Sequence, residues 1–169
     1  MFKTNSSHRN AAVRAVQGAA FALALLTPAA AAPASPFANL NGSWSGPGVI
    51  TLASGATENI RCRATYNVDR DASNLNIALR CASESYNFHL TSSLTHANGA
   101  VTGIWNESTY AVGGTITGRG QPGRIQVRAE GMIVNALLAV TTRDNKQSVS
   151  ISSPGSPLSE VSISMSRGK

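Results

Sequence analysis

Apolar and polar residues alternate with a period of two along most of the chain beyond residue 41. The clearest case is the stretch from Cys62 to Cys81. Cys62, Ala64, Tyr66 and Val68 alternate with Arg61, Arg63, Thr65 and Asn67. Further on, Leu75, Ile77, Leu79 and Cys81 alternate with Asn76, Ala78 and Arg80. A period of two predicts strands with one buried face. The D-R-D-A-S stretch between the arms is rich in turn formers. Folding the arms so that Cys62 meets Cys81 sets Ala64 against Leu79, Tyr66 against Ile77 and Val68 against Leu75. Every inward pair is then apolar, which makes the register self-consistent. Opposed Cα atoms in such a pair lie roughly 4.5–5.5 Å apart, within reach of a disulfide. Closing this loop contributes on the order of 3 kcal/mol.

The pattern repeats on either side. Trp44, Gly46, Gly48, Ile50 and Leu52 share one parity, a bent, glycine-softened strand. Tyr86, Phe88 and Leu90 face in, with Asn87 and His89 out. Asn98-Gly99 is the strongest hairpin-turn signal. It leads into V-T-G-I-W, with Trp105 on the parity of Val101 and Glu107 taken as outward. Tyr110, Val112, Gly114 and Ile116 form an inward row, G-R-G-Q-P-G a loop, and Ile125, Val127 and Ala129 another inward row. V-N-A-L-L-A-V-T fits helix or strand by pattern; its length and Val/Thr ends favour a strand. S-V-S-I-S and V-S-I-S-M complete the set. About ten short strands joined by turns predict an all-β chain. Short links between successive strands favour a single antiparallel up-and-down β-barrel of about 8–10 strands over the alternative, a β-sandwich; closure also removes exposed strand edges.

The first residues break the pattern. Lys3, Arg9 and Arg14 precede an apolar A-V-Q-G-A-A-F-A-L-A-L-L run and the alanines Ala29 to Ala32. This order predicts a secretory signal peptide over residues 1–34, cut between Ala29 and Ser35. A short segment, residues 35–41, and a barrel domain, residues 42–169, follow. Three of the 14 Lys/Arg lie in the leader and none of the 8 Asp/Glu does, which leaves +3 on the remainder. That mild excess, without a basic run, gives no reason to expect nucleic acid as a partner. The apolar run is too short for a comfortable membrane span. Two cysteines in an exported chain predict one disulfide, Cys62–Cys81, and a periplasmic or secreted location.

Candidate chemistry is sparse. His89 and His96 are taken as surface residues outside any metal-type cluster. G-S-W-S-G has Trp44 where a nucleophile elbow needs serine. No phosphate loop and no inward carboxylate pair is present. The expectation is a protein that is not an enzyme, with no catalytic residue, metal or cofactor. Two features remain. Trp44, Tyr66, Tyr86, Phe88, Trp105 and Tyr110 carry inward parity; they fill a core or line a cavity for a small apolar or amphipathic ligand, with Trp44, Tyr66, Tyr86, Phe88 and Trp105 as the candidate set and Ser92 to orient it. Arg61, Arg63 and Arg80 cluster on the outer face, either a solvated surface or a patch for an anionic partner.

Gly42-Ser43-Trp44, repeated as Gly103-Ile104-Trp105, resembles the G-x-W opening of calycin-type barrels: lipocalins, avidins and bacterial periplasmic metalloprotease inhibitors. The resemblance implies a small exported barrel whose Trp closes one end. It also raises an alternative, a periplasmic protease inhibitor or envelope protein-interaction module whose inhibitory segment falls at Ala34 to Leu40. The part beyond the leader also resembles small exported proteins of alphaproteobacteria, a likeness that carries no mechanism.

Overall fold

In a computed structural model, residues 34–168 are described; the leader expected over residues 1–34 lies almost wholly outside them. Ten strands run in chain order: β1 (Gly42–Leu52), β2 (Thr57–Val68), β3 (Asn74–Ala82), β4 (Asn87–Ala97), β5 (Ala100–Glu107), β6 (Val112–Gln121), β7 (Arg124–Gly131), β8 (Asn135–Arg143), β9 (Lys146–Ser152) and β10 (Leu158–Arg167). Each pairs antiparallel with its neighbour in sequence, and β10 returns to β1, closing the barrel. The sandwich alternative is thereby excluded. V-N-A-L-L-A-V-T is strand, as its length predicts.

The register of the stapled hairpin is the one alternation requires. Cys62 faces Cys81, Ala64 faces Leu79, Tyr66 faces Ile77 and Val68 faces Leu75, and the disulfide is formed. Asn98 and Gly99 both take positive φ, 50° and 81°, and turn β4 tightly into β5. Glycine is required where β1 meets β10: a Cβ on Gly46 would stand 1.9 Å from the Ser164 carbonyl oxygen. Ile50, Cys62, Leu75 and Val101 are among the most deeply buried inward residues.

Four expectations fail locally. The G-R-G-Q-P-G stretch is not a loop: β6 continues to Gln121 and only Pro122-Gly123 turns. Tyr110 is not inward; it sits in the β5–β6 turn, 53% exposed, where Ala111 at φ 54° has broken the alternation. Glu107 is not outward. It shares Trp105's parity and is buried, its Oε1 accepting from the His89 N–H at 2.6 Å and its Oε2 from the Tyr110 N–H at 2.7 Å. His96 is not a free surface residue: it is half-buried on the inner wall with Nε2 unpartnered, packed edge-on to Phe37 at 6.0 Å.

Candidate functional site

The two ends of the barrel differ. One end gathers the start of β1, the end of β10 and the turns after β2, β4, β6 and β8. Here residues 36–40 form a turn that folds into the opening. Phe37 and Leu40 are buried to 0% and 3% exposure, so the segment before Gly42 does not stand free. Trp44 holds it by donating Nε1–H to the Leu40 carbonyl at 2.8 Å. Arg167 lies over the Trp44 ring, 4.5 Å from its centroid, and donates to the Asn39 and Asn41 carbonyls. A guanidinium over an indole face is attractive electrostatically, so one side chain links both termini of the barrel sheet. Beneath the plug, Tyr66 donates its hydroxyl to Gln147 Oε1 at 2.7 Å, and Gln147 Nε2 donates to Thr142 Oγ1 at 3.1 Å. Burial pushes the Tyr66 phenol up to about 12.

The other end gathers the turns after β1, β3, β5, β7 and β9. Among the described residues this end holds only the barrel's own strands and turns. Its inward side chains, Leu52, Tyr86, Phe88, Leu90, Val112 and Val134, pack on the core yet stay only partly buried. Tyr86 and Phe88 stack with centroids 6.1 Å apart and planes 6° apart; Tyr110 flanks Phe88 at 5.9 Å. Met132 and Ile133, at the tip of the β7–β8 turn, are 101% and 77% exposed. Glu107 marks this rim. Burial raises its pKa, but the His89 and Tyr110 N–H groups and Thr109 outweigh that and hold it below the ordinary carboxylate value.

The expected ligand set is thus divided. Trp44 and Tyr66 meet at the sealed end, 6.3 Å apart, with their polar atoms already engaged. Tyr86, Phe88 and Trp105 belong to the open half. Trp105 is buried, and its Nε1 has no hydrogen-bond partner among the described residues. Ser92, opposite Trp105 on β4, donates its hydroxyl to the Ile104 carbonyl at 2.8 Å. The sequence reading missed the plug, Gln147 and the inward carboxylate of Glu107. Parity with Trp105 and Val149 held the signal for the last two; Phe37 and Leu40 lie outside any strand and offered none.

Arg61, Arg63 and Arg80 are exposed on the outer wall. Arg63 faces Arg80 across the β2–β3 ladder, and His89 faces Arg80 from β4. The ion pair found among the described residues, Arg128–Glu130 at 3.9 Å, lies elsewhere. Two surface depressions, of about 590 and 410 Å³, are mostly lined by outer-wall residues such as Ser148 and Ser164, or Gln126 and Ser150; neither is enclosed. Among the described residues no group of three His, Cys, Asp or Glu is placed to hold a metal ion, and no helix is long and apolar enough to cross a membrane.

No family model matches the chain, and no curated protein does. Solved structures do. Rv2717c from M. tuberculosis superposes with a TM-score of 0.62 at 13% identity, covering 78% of this chain and 94% of that one. The S-type phycobiliprotein lyase CPES from Guillardia theta superposes with a TM-score of 0.51 at 10% identity, covering 79% and 90%. At these identities the likeness is one of fold alone, a small β-barrel.

Proposed function

We propose that the protein is an exported, non-catalytic barrel that takes a small apolar or amphipathic ligand through its open end. One observation carries this: apolar side chains turned inward at that end, Tyr86, Phe88, Leu90 and Val112 among them, are left partly accessible, while the opposite end is sealed by Phe37 and Leu40. Inward apolar surface reachable from solvent is the usual lining of a ligand site. Tyr86, Phe88 and Trp105 are its wall; Trp44 and Tyr66 support its floor. The sealed end argues against the protease-inhibitor alternative, because the segment that would inhibit is occupied within its own barrel.

Titration with N-phenylnaphthylamine, an apolar dye that brightens on leaving water, tests the proposal. Saturable one-to-one binding that Leu90→Trp abolishes, with the unfolding midpoint kept, is expected. No binding at any accessible dye concentration sinks it. Export is tested by N-terminal sequencing of protein recovered from outside the cytoplasm: a start between residues 30 and 36 is expected, and an intact Met1 contradicts it.

A further inference from the structure

The large hydrophobic side chains that stand exposed among the described residues gather on one side of the barrel. Ile104 lies on β5, Tyr110 in the β5–β6 turn, Met132 and Ile133 in the β7–β8 turn, and Leu137 near the start of β8. All belong to the half nearer the open end. By contrast, the outward positions of β9 and β10 carry Ser148, Ser150, Ser162 and Ser164. We propose that the β5–β8 side of the open end docks on the surface of a phospholipid bilayer, with the turn tips entering the boundary between headgroups and acyl chains. The docking goes beyond the ligand reading and does not require it. If both hold, the open end faces the hydrocarbon phase from which an apolar ligand comes.

Met132 and Ile133, at 101% and 77% exposure, take almost no packing from the fold. Apolar tips that stand clear of the barrel can enter a fluid phase as they are, whereas a folded partner needs a pocket shaped for each. The charge beside them fits the same surface. An outward rung, Arg63–Arg80–His89, runs across β2, β3 and β4. The Ser108 N–H, in the β5–β6 turn, donates to the His89 carbonyl at 3.0 Å. The rung therefore leads from the two arginines to the turn that carries Tyr110. The acids closest to this side are engaged. Glu107 accepts from the His89 and Tyr110 N–H groups, Glu58 accepts from the Ser85 N–H, and Glu130 pairs with Arg128 at 3.9 Å. Arg63 and Arg80 take part in no ion pair among the described residues. Exposed apolar tips flanked by unpaired guanidinium groups match a phospholipid surface, which is hydrocarbon beneath a layer of phosphate. Glu84, exposed in the β3–β4 turn, limits the contribution of charge, so insertion of the tips supplies most of the affinity.

The test is co-sedimentation with vesicles of phosphatidylcholine mixed with phosphatidylglycerol, at rising lipid concentration. The wild-type protein is expected to sediment with them and to be released in part by salt. Met132→Ser with Ile133→Ser, whose unfolding midpoint should stay in place, is expected to weaken partition roughly tenfold or more. Arg63→Gln with Arg80→Gln is expected to weaken it roughly five- to thirtyfold on the mixed vesicles, and less than about twofold on phosphatidylcholine alone. In bicelles of the mixed lipids, a nitroxide on the acyl chain should broaden the methyl resonances of Met132 and Ile133 and leave those of Leu40, at the sealed end, sharp. The docking is overturned if the wild-type protein stays in the supernatant at millimolar lipid, or if the two serine substitutions leave partition unchanged. It is also overturned if the protein pairs with itself without lipid and the serine substitutions make it a monomer, which assigns the patch to a second copy. Unchanged partition of the glutamine variant on the mixed vesicles removes the arginines from the docking surface. The dye titration, run without vesicles, reads the ligand proposal separately, so either can fail alone.

Discussion

The sealed and open ends are built from the same ladder, yet they solve the problem of a barrel's interior in opposite ways. At the sealed end an irregular segment brings Phe37 and Leu40 into the opening, and its backbone carbonyls are met by Trp44 and Arg167. At the open end the described residues supply only the barrel's own strands and turns, and the wall keeps Tyr86, Phe88 and Leu90 partly exposed. What holds this end is local: the Glu107 carboxylate over the β5–β6 turn, Glu58 accepting from the Ser85 N–H at 2.9 Å, and the disulfide one residue pair from the end of the β2–β3 ladder. Stability and access are divided between the ends. Packing of large side chains dominates the first; caps and a covalent staple dominate the second.

That division can be broken from either side. The largest effect is expected from Phe37→Ala, which empties the plug and should destabilise the fold by about 3–5 kcal/mol in urea unfolding. A loss under 1 kcal/mol means that the plug does not seal. Replacing Cys62 and Cys81 together by Ala should cost about 2–4 kcal/mol. Hydrogen exchange should then quicken first in the β3–β4 turn, at the open end, and late at the plug.

Tyr66→Phe leaves Gln147 Oε1 without its donor beneath the plug, and about 1–3 kcal/mol of destabilisation is expected. The same residue predicts a pH signature. Its folded pKa, about 12, is raised above the unfolded value near 10. Its contribution is therefore whole below about pH 10 and lost as pH rises towards 12. In Tyr66→Phe that alkaline slope should flatten; an unchanged slope places the alkaline transition elsewhere. The smallest effect belongs to the open rim. Met132→Ser with Ile133→Ser should alter stability by less than about 0.5 kcal/mol, since both side chains lie in solvent. A larger loss would show that the rim is packed.

Alternation made the wall legible and left the ends obscure. From Ile60 to Cys81, inward and outward residues are as parity predicts, because a slip of one residue would turn the whole apolar set outward. Parity stops at turns. Tyr110 shares its even numbering with the inward row of β6, Val112, Gly114 and Ile116, but β6 begins only at Val112, and the turn before it carries Tyr110 outward. Glu107 shows a different error: the expectation of an outward side chain overlooks the odd numbering it shares with Val101 and Trp105 on β5, and two backbone N–H groups meet its carboxylate there. The plug was hidden because Phe37 and Leu40 follow no strand or helix period. Direction along a strand also carries no volume, so the difference between Trp44, closed off and bonded, and Trp105, buried with a spare donor, was not in the pattern.

A ligand should reach the interior from one end only. Methyl resonances of the intact protein, followed while N-phenylnaphthylamine is added, test it most directly, because the dye's rings shift only nearby methyl groups. Movement is expected at Leu79, Leu90, Val112 and Leu138, with Leu40, Leu75, Val101 and Ile125 unmoved. Movement confined to the second group, or to the outer-wall residues Ile104 and Leu137, would contradict it.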